Sequence, residues 1–161
     1  MTEKTELRPG QGPGPRAITE EEALGILGGQ RFGVLATLKG SGQPHLASMV
    51  FAWDPVERIV RVPSVDGRIK VKHLLKDPRA TFHVQGETPL AYAVVEGAAE
   101  LSEVAAEPGD ATTRELLPIF GITDPADEQE FFERMVRDRR VVIRIRVARI
   151  YGVALDGAVA P

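Results

Sequence analysis

Three β-like runs joined by short turns decide the fold: Phe32-Gly-Val-Leu-Ala-Thr-Leu38, Pro44-His-Leu-Ala-Ser-Met-Val-Phe-Ala-Trp53 and Arg58-Ile-Val-Arg-Val62. The first connection is Lys39-Gly-Ser-Gly-Gln43 and the second contains Asp54-Pro55, and both have the composition of turns. Because consecutive strands with short connections usually pair as neighbours, the stretch predicts an antiparallel meander.

Three further runs extend the predicted sheet. They cover residues 79–84, residues 91–103 and residues 141–151. The second of them is broken at Gly97, which predicts a bulge or a sharp bend. Six antiparallel strands with a long bent member fit a closed or partly closed barrel better than an open sheet, because closure removes unpaired edges. We therefore expect a mainly β fold with flanking helices.

Helical signals lie on either side of these strands. Thr19-Glu-Glu-Glu22 is a capping box that opens a first helix of about residues 20–28. A basic helix follows the third strand and ends at Asp77-Pro78, because the residue before a proline disfavours helical backbone. Apolar residues at helical spacing predict two more helices. The last three helices are expected over about residues 67–76, 110–120 and 126–137.

The chain is expected to hold one folded domain. Residues 1–18 are polar and rich in Gly and Pro, so they cannot bury enough apolar surface to order themselves, and we expect a disordered tail. Residues 19–161 are then expected to form a single domain, and the sequence has no internal repeat.

Composition excludes several classes of function. A net charge of −3 argues against a nucleic-acid partner, which would demand a broad basic face. No apolar run approaches the roughly 20 residues that span a bilayer, and no segment is typical of a signal peptide. The absence of Cys excludes disulfides and thiolate chemistry. The expectation is a soluble, cytoplasmic protein without a membrane partner.

Positive charge is concentrated at one point of the chain. Three of the five lysines, Lys70, Lys72 and Lys76, lie within seven residues, and Arg68 precedes them. They open the predicted basic helix, whose N-terminus is already electropositive, so cations are unfavourable there unless an anion is bound. The segment around residues 64–72 is therefore the best candidate for a phosphate or carboxylate site.

The backbone conformation decides which cations converge. If residues 66–70 are extended, Arg68 and Lys70 project to the same side. If the helix begins by Arg68, then Arg68 and Lys72 share a face and Lys70 points elsewhere. Ser64 supplies a hydroxyl just upstream. The alternative without a ligand is a solvated basic helix face, with Asp66 and Asp77 as its local partners.

One combination of these motifs resembles a known superfamily. It resembles the split β-barrel flavin-binding superfamily of pyridoxamine 5′-phosphate oxidase, and more narrowly its actinobacterial branch that uses the deazaflavin coenzyme F420. The resemblance runs from about residue 19 to residue 151. It rests on Gly42-Gln-Pro-His-Leu-Ala-Ser-Met-Val-Phe51, Ile59-Val-Arg-Val-Pro-Ser64, Arg68-Ile-Lys-Val-Lys-His-Leu74, Asp77-Pro-Arg79 and Val94-Val-Glu-Gly-Ala-Ala99.

The resemblance implies a fold and a cofactor site. The fold would be an FMN-binding type of split barrel, a homodimer with two cofactor sites at the subunit interface. Arg68, Lys70 and Lys72 would hold the cofactor phosphate. The family usually has Asn where this chain has His73, which puts one supporting hydrogen bond in question. The residues that would lie along the tricyclic ring are Ala47, Ser48, Met49, Pro63 and Ser64.

The function implied is an F420-dependent oxidoreductase that transfers a hydride from the reduced deazaflavin to a conjugated acceptor of the quinone, enone or tetrapyrrole type. No catalytic triad is expected, because hydride transfer is the cofactor's own chemistry. The alternatives are an FMN-binding oxidase or reductase on the same barrel, and a binding protein that holds a cofactor without turnover. A metal site is not expected, because the spacing of the three histidines matches no ligand motif.

Overall fold

The structure, a computed structural model, describes residues 14–155. These residues form eight strands and four helices in the order β1, α1, β2–β5, α2, β6, β7, α3, α4 and β8. The strands are Arg16–Ala17, Phe32–Leu38, Pro44–Val50, Ala52–Asp54, Ile59–Val65, Arg79–Gln85, Tyr92–Leu101 and Arg140–Ala154. The helices are Glu20–Gly29, Ile69–Lys76, Ala111–Phe120 and Pro125–Arg137.

All the strands belong to one antiparallel sheet with the order β3-β2-β6-β7-β8-β5-β4, and β1 pairs with the end of β8. The strand with which the chain pairs changes at Phe51, from β2 to β5. The Phe51 N–H donates to the Arg31 carbonyl on the β2 side, whereas Ala52 already pairs with Arg61 of β5. Because β3 and β4 are consecutive, the two ends of the sheet curl toward each other and form a half-barrel.

The predicted class, mainly β with flanking helices, is confirmed, but the predicted number of strands is wrong. The described residues form eight strands, not six, for two reasons. The long predicted strand over residues 44–53 is split at Phe51, where its pairing partner changes. In addition, Arg16–Ala17 forms β1 within the stretch that was expected to be a disordered tail. The rest of that tail prediction, over residues 1–13, lies outside the described residues.

The predicted irregularity at Gly97 is confirmed as a β-bulge between β7 and β8. Glu96 pairs with Arg149 and Gly97 pairs with Val147, so Ala148 has no residue opposite it. A Cβ at Gly97 would collide with the backbone carbonyl of Arg146. The close approach of the two backbones therefore requires glycine here, and the bulge bends the longest strands of the sheet.

Two apolar cores hold the fold together. The larger fills the half-barrel, and the smaller lies under α3 and α4. The capping box is present, with hydrogen bonds in both directions between Thr19 and Glu22. None of the helices within residues 14–155 is long and apolar enough to cross a bilayer. Buried members of the larger core include Leu27, Leu35, Val60, Val62, Leu74, Phe82, Val95, Ile143 and Ile145.

Candidate cofactor-binding site

A tight turn connects β5 to the basic helix α2. The Arg68 N–H donates to the Val65 carbonyl at 3.2 Å, and Gly67 has φ of 80°, which closes a β-turn over residues 65–68. Arg68 is the N-cap of α2, with extended backbone at φ −62° and ψ 149°. The helix therefore begins one residue after Arg68, two residues later than the start that the sequence predicts.

This geometry brings Arg68 and Lys70 close together. Burial, followed by repulsion from the Arg68 guanidinium, lowers the pKa of the Lys70 ammonium. No acidic residue lies in the first turn of α2, and no side chain caps its N-terminus. A helix N-terminus with two converging cations and no internal counter-charge has the electrostatics of an anion site.

The carboxylates expected to neutralise this segment are engaged elsewhere. Asp66 pairs with Arg139 at 2.6 Å, and Asp77 pairs with Arg79 at 2.6 Å. Within the described range, Arg68, Lys70 and Lys72 form no ion pair, whereas most of the arginines of the sheet do. A solvated basic face balanced by Asp66 and Asp77 therefore does not describe α2.

Ser64 lies near the end of β5, four residues before Arg68, the N-cap of α2. It is 4% exposed, and its Oγ is buried without a hydrogen-bond partner in the described structure. By strand alternation it shares the inner face of the barrel with Val60 and Val62, whereas Pro63 lies on the opposite face with Arg61. A buried hydroxyl without a partner is unfavourable, and an acceptor on a bound cofactor would satisfy it. The unpaired cations and this hydroxyl together fit an anionic, partly polar cofactor.

The three residues predicted on β3 do not share one face. Ala47 and Met49 point into the barrel, and Met49 packs against its core. Ser48 is exposed on the outer face, together with Leu46. A planar ring on the outer face would therefore meet the Ser48 side chain and only the backbone of Ala47 and Met49.

Lys72 belongs to a second cationic surface beside the turn. It lines a cleft of about 460 Å³ between α2 and the β2–β3 turn, together with Lys39, Lys76 and His73. Lys39 and Lys76 also have no ion pair among the described residues. We call this surface the lysine cleft. The sequence does not predict that Lys39 lies beside α2. Lys39 belongs to the turn between β2 and β3, and this turn lies beside α2 only in the folded sheet.

His73 has a hydrogen bond despite its departure from the family's usual Asn. The Thr37 hydroxyl and the His73 Nδ1 atom are 2.9 Å apart. The ring of His73 lies edge-on to His45 at 5.4 Å. Burial, then the charges of His45, Lys39 and Lys76, lower the pKa of His73. His73 is therefore held by β2, through the Thr37 hydroxyl.

Two further polar side chains, those of His83 and Arg144, have partners within the protein. His83 packs on Tyr92, with ring centroids 5.1 Å apart, and residues 14–155 contain no cluster of three or more ligand side chains suited to a metal. Arg144 is held by Glu115 at 2.6 Å and Glu100 at 3.3 Å, so it is already neutralised. These two carboxylates account for the charge of Arg144 without a ligand.

The fold agrees with a comparison against protein families. Residues 19–154 match the pyridoxamine 5′-phosphate oxidase family. The chain belongs to this family. Its members are typically flavin-dependent oxidoreductases.

Solved structures with the same fold extend the comparison. A conserved hypothetical protein from Mycobacterium tuberculosis is 26% identical, with a TM-score of 0.65, over 83% of this chain and 82% of that one. A protein described as an F420 reductase is 23% identical, with a TM-score of 0.59, over 82% of this chain and 98% of that one. A FAD-binding protein from Mesorhizobium loti is 19% identical, with a TM-score of 0.58, over 86% and 96%. The last two likenesses establish the fold alone.

Proposed function

We propose that this member of the family is an F420-dependent oxidoreductase, which transfers a hydride from the reduced deazaflavin to a conjugated acceptor such as a quinone, an enone or a tetrapyrrole. The observation that carries the proposal is the pair of unbalanced cations, Arg68 and Lys70, at the N-terminus of α2. The partnerless hydroxyl of Ser64 at the end of the preceding strand supports it.

The protein's own residues bind and orient the cofactor. When bound, reduced F420 supplies a hydride for two-electron reduction. The Arg68 guanidinium offers a planar fork to the phosphate, and the Lys70 ammonium adds a point charge. Ser64 donates its O–H to the phosphate end of the ligand, beside the turn, and the outer strand face around Ser48 excludes water from one side of the ring. Catalysis then depends on orientation and burial rather than on a reactive side chain.

The lysine cleft favours F420 over FMN. FMN carries one phosphate, whereas the side chain of F420 carries carboxylates in addition to its phosphate. Lys39, Lys72 and Lys76 provide cations beyond those that a single phosphate needs, and they line a space that begins at Ile69, next to Arg68. We expect Lys72→Gln combined with Lys76→Gln to weaken the binding of F420 and to leave the binding of FMN nearly unchanged.

FMN remains the second candidate, because the family is typically flavin-dependent. A protein that binds FMN in preference would be yellow when purified and would keep the same phosphate turn. A non-catalytic cofactor-binding protein is the third candidate. It would bind F420 or FMN without hydride transfer to any acceptor in a panel of quinones, enones and tetrapyrroles.

We also propose that the protein is a homodimer whose partner copy closes the cofactor site. Phe32 is 69% exposed and Leu46 is 64% exposed on the outer face of β2 and β3. That face also holds Ser48 and the half-buried Val34 and Ala36. An exposed apolar sheet face continuous with the proposed ring surface fits a second copy of this chain.

The proposal is tested by titrating the purified protein with F420 and with FMN and following the quenching of their fluorescence. Micromolar or tighter binding of F420, with oxidation of reduced F420 by at least one acceptor, is the expected result. Binding of FMN alone would establish the second candidate, and binding of F420 without turnover the third.

The phosphate turn is tested by Arg68→Ala and Lys70→Ala. Each is expected to weaken cofactor binding by about 1.5–3 kcal/mol, the loss of one charge-assisted hydrogen bond. Arg137→Ala removes an exposed arginine from the end of α4 and serves as the control. Unchanged affinity in both turn variants would place the phosphate elsewhere.

A further inference from the structure

We infer that Arg139 is a positioning residue for the phosphate turn, acting through Asp66; this inference rests on the proposed function of that turn. Asp66 lies two residues before Arg68 and is the one carboxylate within the turn over residues 65–68. An anion bound by Arg68 and Lys70 would be repelled by a free Asp66 carboxylate. The turn therefore needs its own negative charge neutralised and its backbone held.

Arg139 does both. It lies between α4 and β8, directly before Arg140, the residue of β8 that pairs with Val65 of β5. The Arg139 carbonyl accepts the Asp66 N–H at 2.9 Å, and the Arg139 guanidinium donates to the Asp66 carboxylate at 2.6 Å. Two bonds from one residue, 73 positions away in the chain, fix both the backbone and the charge of Asp66.

The backbone of Arg139 is unusual. Its φ is 52°, in the left-handed region that few residues other than glycine adopt. Its own N–H is bonded to the Val136 carbonyl at 2.9 Å, so the last turn of α4 holds it in this conformation. A glycine would fit the same backbone with less strain but would have no guanidinium to place against Asp66.

The ion pair between Arg139 and Asp66 affects ligand binding more than folding stability. The side chains of Arg139 and Asp66 are 66% and 38% exposed, and an exposed ion pair contributes little to folding. Its effect on a bound anion is different, because removing the guanidinium exposes the anion to a carboxylate on the same turn. The consequence should therefore be seen in ligand affinity and hardly at all in thermal stability.

The charge argument predicts opposite effects for the two partners. Arg139→Gln leaves Asp66 unneutralised and should weaken anion binding by about threefold to tenfold, as expected for one unit charge about 7 Å away at a solvated surface. Asp66→Asn should leave affinity unchanged or raise it. The double variant should return to within about twofold of the wild type, because the two sites are directly coupled. Arg139→Lys keeps the charge and should retain most of the affinity.

Arg58 provides a matched control at the other end of β5. It also has left-handed backbone, with φ of 55°, and its guanidinium also pairs with an exposed carboxylate, that of Glu20 at 2.6 Å. Its carbonyl likewise accepts a bond from the sheet, from the Val147 N–H at 3.1 Å. The seven residues of β5 separate it from the turn by about 20 Å. Arg58→Gln should leave affinity unchanged.

The experiment measures dissociation constants for F420, FMN and pyrophosphate with the wild type and these variants, alongside thermal unfolding. If the wild type binds neither coenzyme, the proposed function fails, and the pyrophosphate constants still test Arg139. Weaker binding in Arg139→Gln that Asp66→Asn restores supports the inference. Wild-type affinity in Arg139→Gln, a loss that Asp66→Asn does not restore, or the absence of binding of all three ligands by the wild type would overturn it.

Discussion

At the scale of single residues, Ser64 has an unfavourable state in the free protein. Its hydroxyl is buried without a partner, so it contributes nothing to folding that a methyl group would not. We expect Ser64→Ala to leave the free energy of unfolding unchanged or to raise it by up to about 1 kcal/mol. The same variant should weaken cofactor binding. A free energy of unfolding that does not fall in urea unfolding, together with a weaker affinity in ligand titration, would show that the hydroxyl serves ligand binding and not folding.

Thr37 is the control for this prediction. Its side chain is only 1% exposed, but its hydroxyl is bonded to His73 at 2.9 Å. Thr37→Val should destabilise the protein by about 1 kcal/mol, the usual contribution of one buried hydrogen bond. If Ser64→Ala destabilised the protein as much as Thr37→Val does, the hydroxyl of Ser64 would have a partner within the protein.

Glu115 is the residue on which α3 depends. Its carboxylate accepts hydrogen bonds from Arg61 at 2.9 Å and from Arg144 at 2.6–2.8 Å, so it joins α3 to β5 and β8. Burial opposes its ionisation, but the bonds from Arg144 and Arg61 outweigh burial and lower the pKa of Glu115. Glu115→Gln should cost about 1.5–3 kcal/mol of stability, because Arg61 and Arg144 lose the carboxylate that they share and keep only their outer acidic partners.

The pH dependence of stability follows from the direction of that pKa shift. A carboxyl whose pKa is lower in the folded state stabilises the protein above its unfolded pKa of about 4.3. This contribution is lost as the pH falls through the folded pKa. The wild type should therefore lose stability below about pH 4.3 more steeply than Glu115→Gln does. Glu57→Gln, which removes an exposed partner of Arg61, should keep the wild-type slope.

At the scale of elements, the bulge at Gly97 sets the curvature of the sheet. Gly97→Ala should destabilise the protein by more than about 3 kcal/mol or prevent folding, because its Cβ would meet the Arg146 carbonyl. Gly25→Ala is the matched control, since Gly25 lies within α1 and a Cβ there meets nothing within 4 Å. This second variant should stabilise the protein by about 0.5–1 kcal/mol. Equal effects on the urea midpoint would contradict the account of the bulge.

Local signals in the sequence were sufficient for most elements. The capping box at Thr19 and Glu22, the break at Gly97 and the apolar spacing of α3 and α4 each depend on neighbours within one or two turns. The exchange of partners at Phe51 was not predictable in this way. It depends on which distant strand, β2 or β5, offers its edge, and no short-range pattern encodes that choice.

The same distinction applies to the site. Arg68, Lys70 and Ser64 lie within seven residues, so their proximity could be predicted from spacing. Strand alternation places the side chain of Ser48 on the opposite face from those of Ala47 and Met49, although the prediction grouped the three residues together. The lysine cleft and the bond from Arg139 to Asp66 depend on long-range packing, which residue spacing does not specify.

At the scale of the whole molecule, the proposed dimer ties the fold to the site. Leu46→Asp should produce a monomer, measured by analytical ultracentrifugation, because it places a charge on the exposed apolar face of β3. The monomer should keep its circular dichroism spectrum and lose cofactor affinity. Val56→Asp changes a residue that is 90% exposed in the β4–β5 connection and should change neither property. A Leu46→Asp dimer with full affinity would contradict this interface.

The central claim is that the turn between β5 and α2 binds a cofactor phosphate. The most direct measurement compares the affinity for F420 with that for its chromophore lacking the phosphate and carboxylate side chain, in the wild type and in the Arg68→Ala/Lys70→Ala double variant. The account predicts that the wild type prefers F420 by about 100-fold or more and that the double variant loses most of this preference. An undiminished preference in the double variant would contradict it.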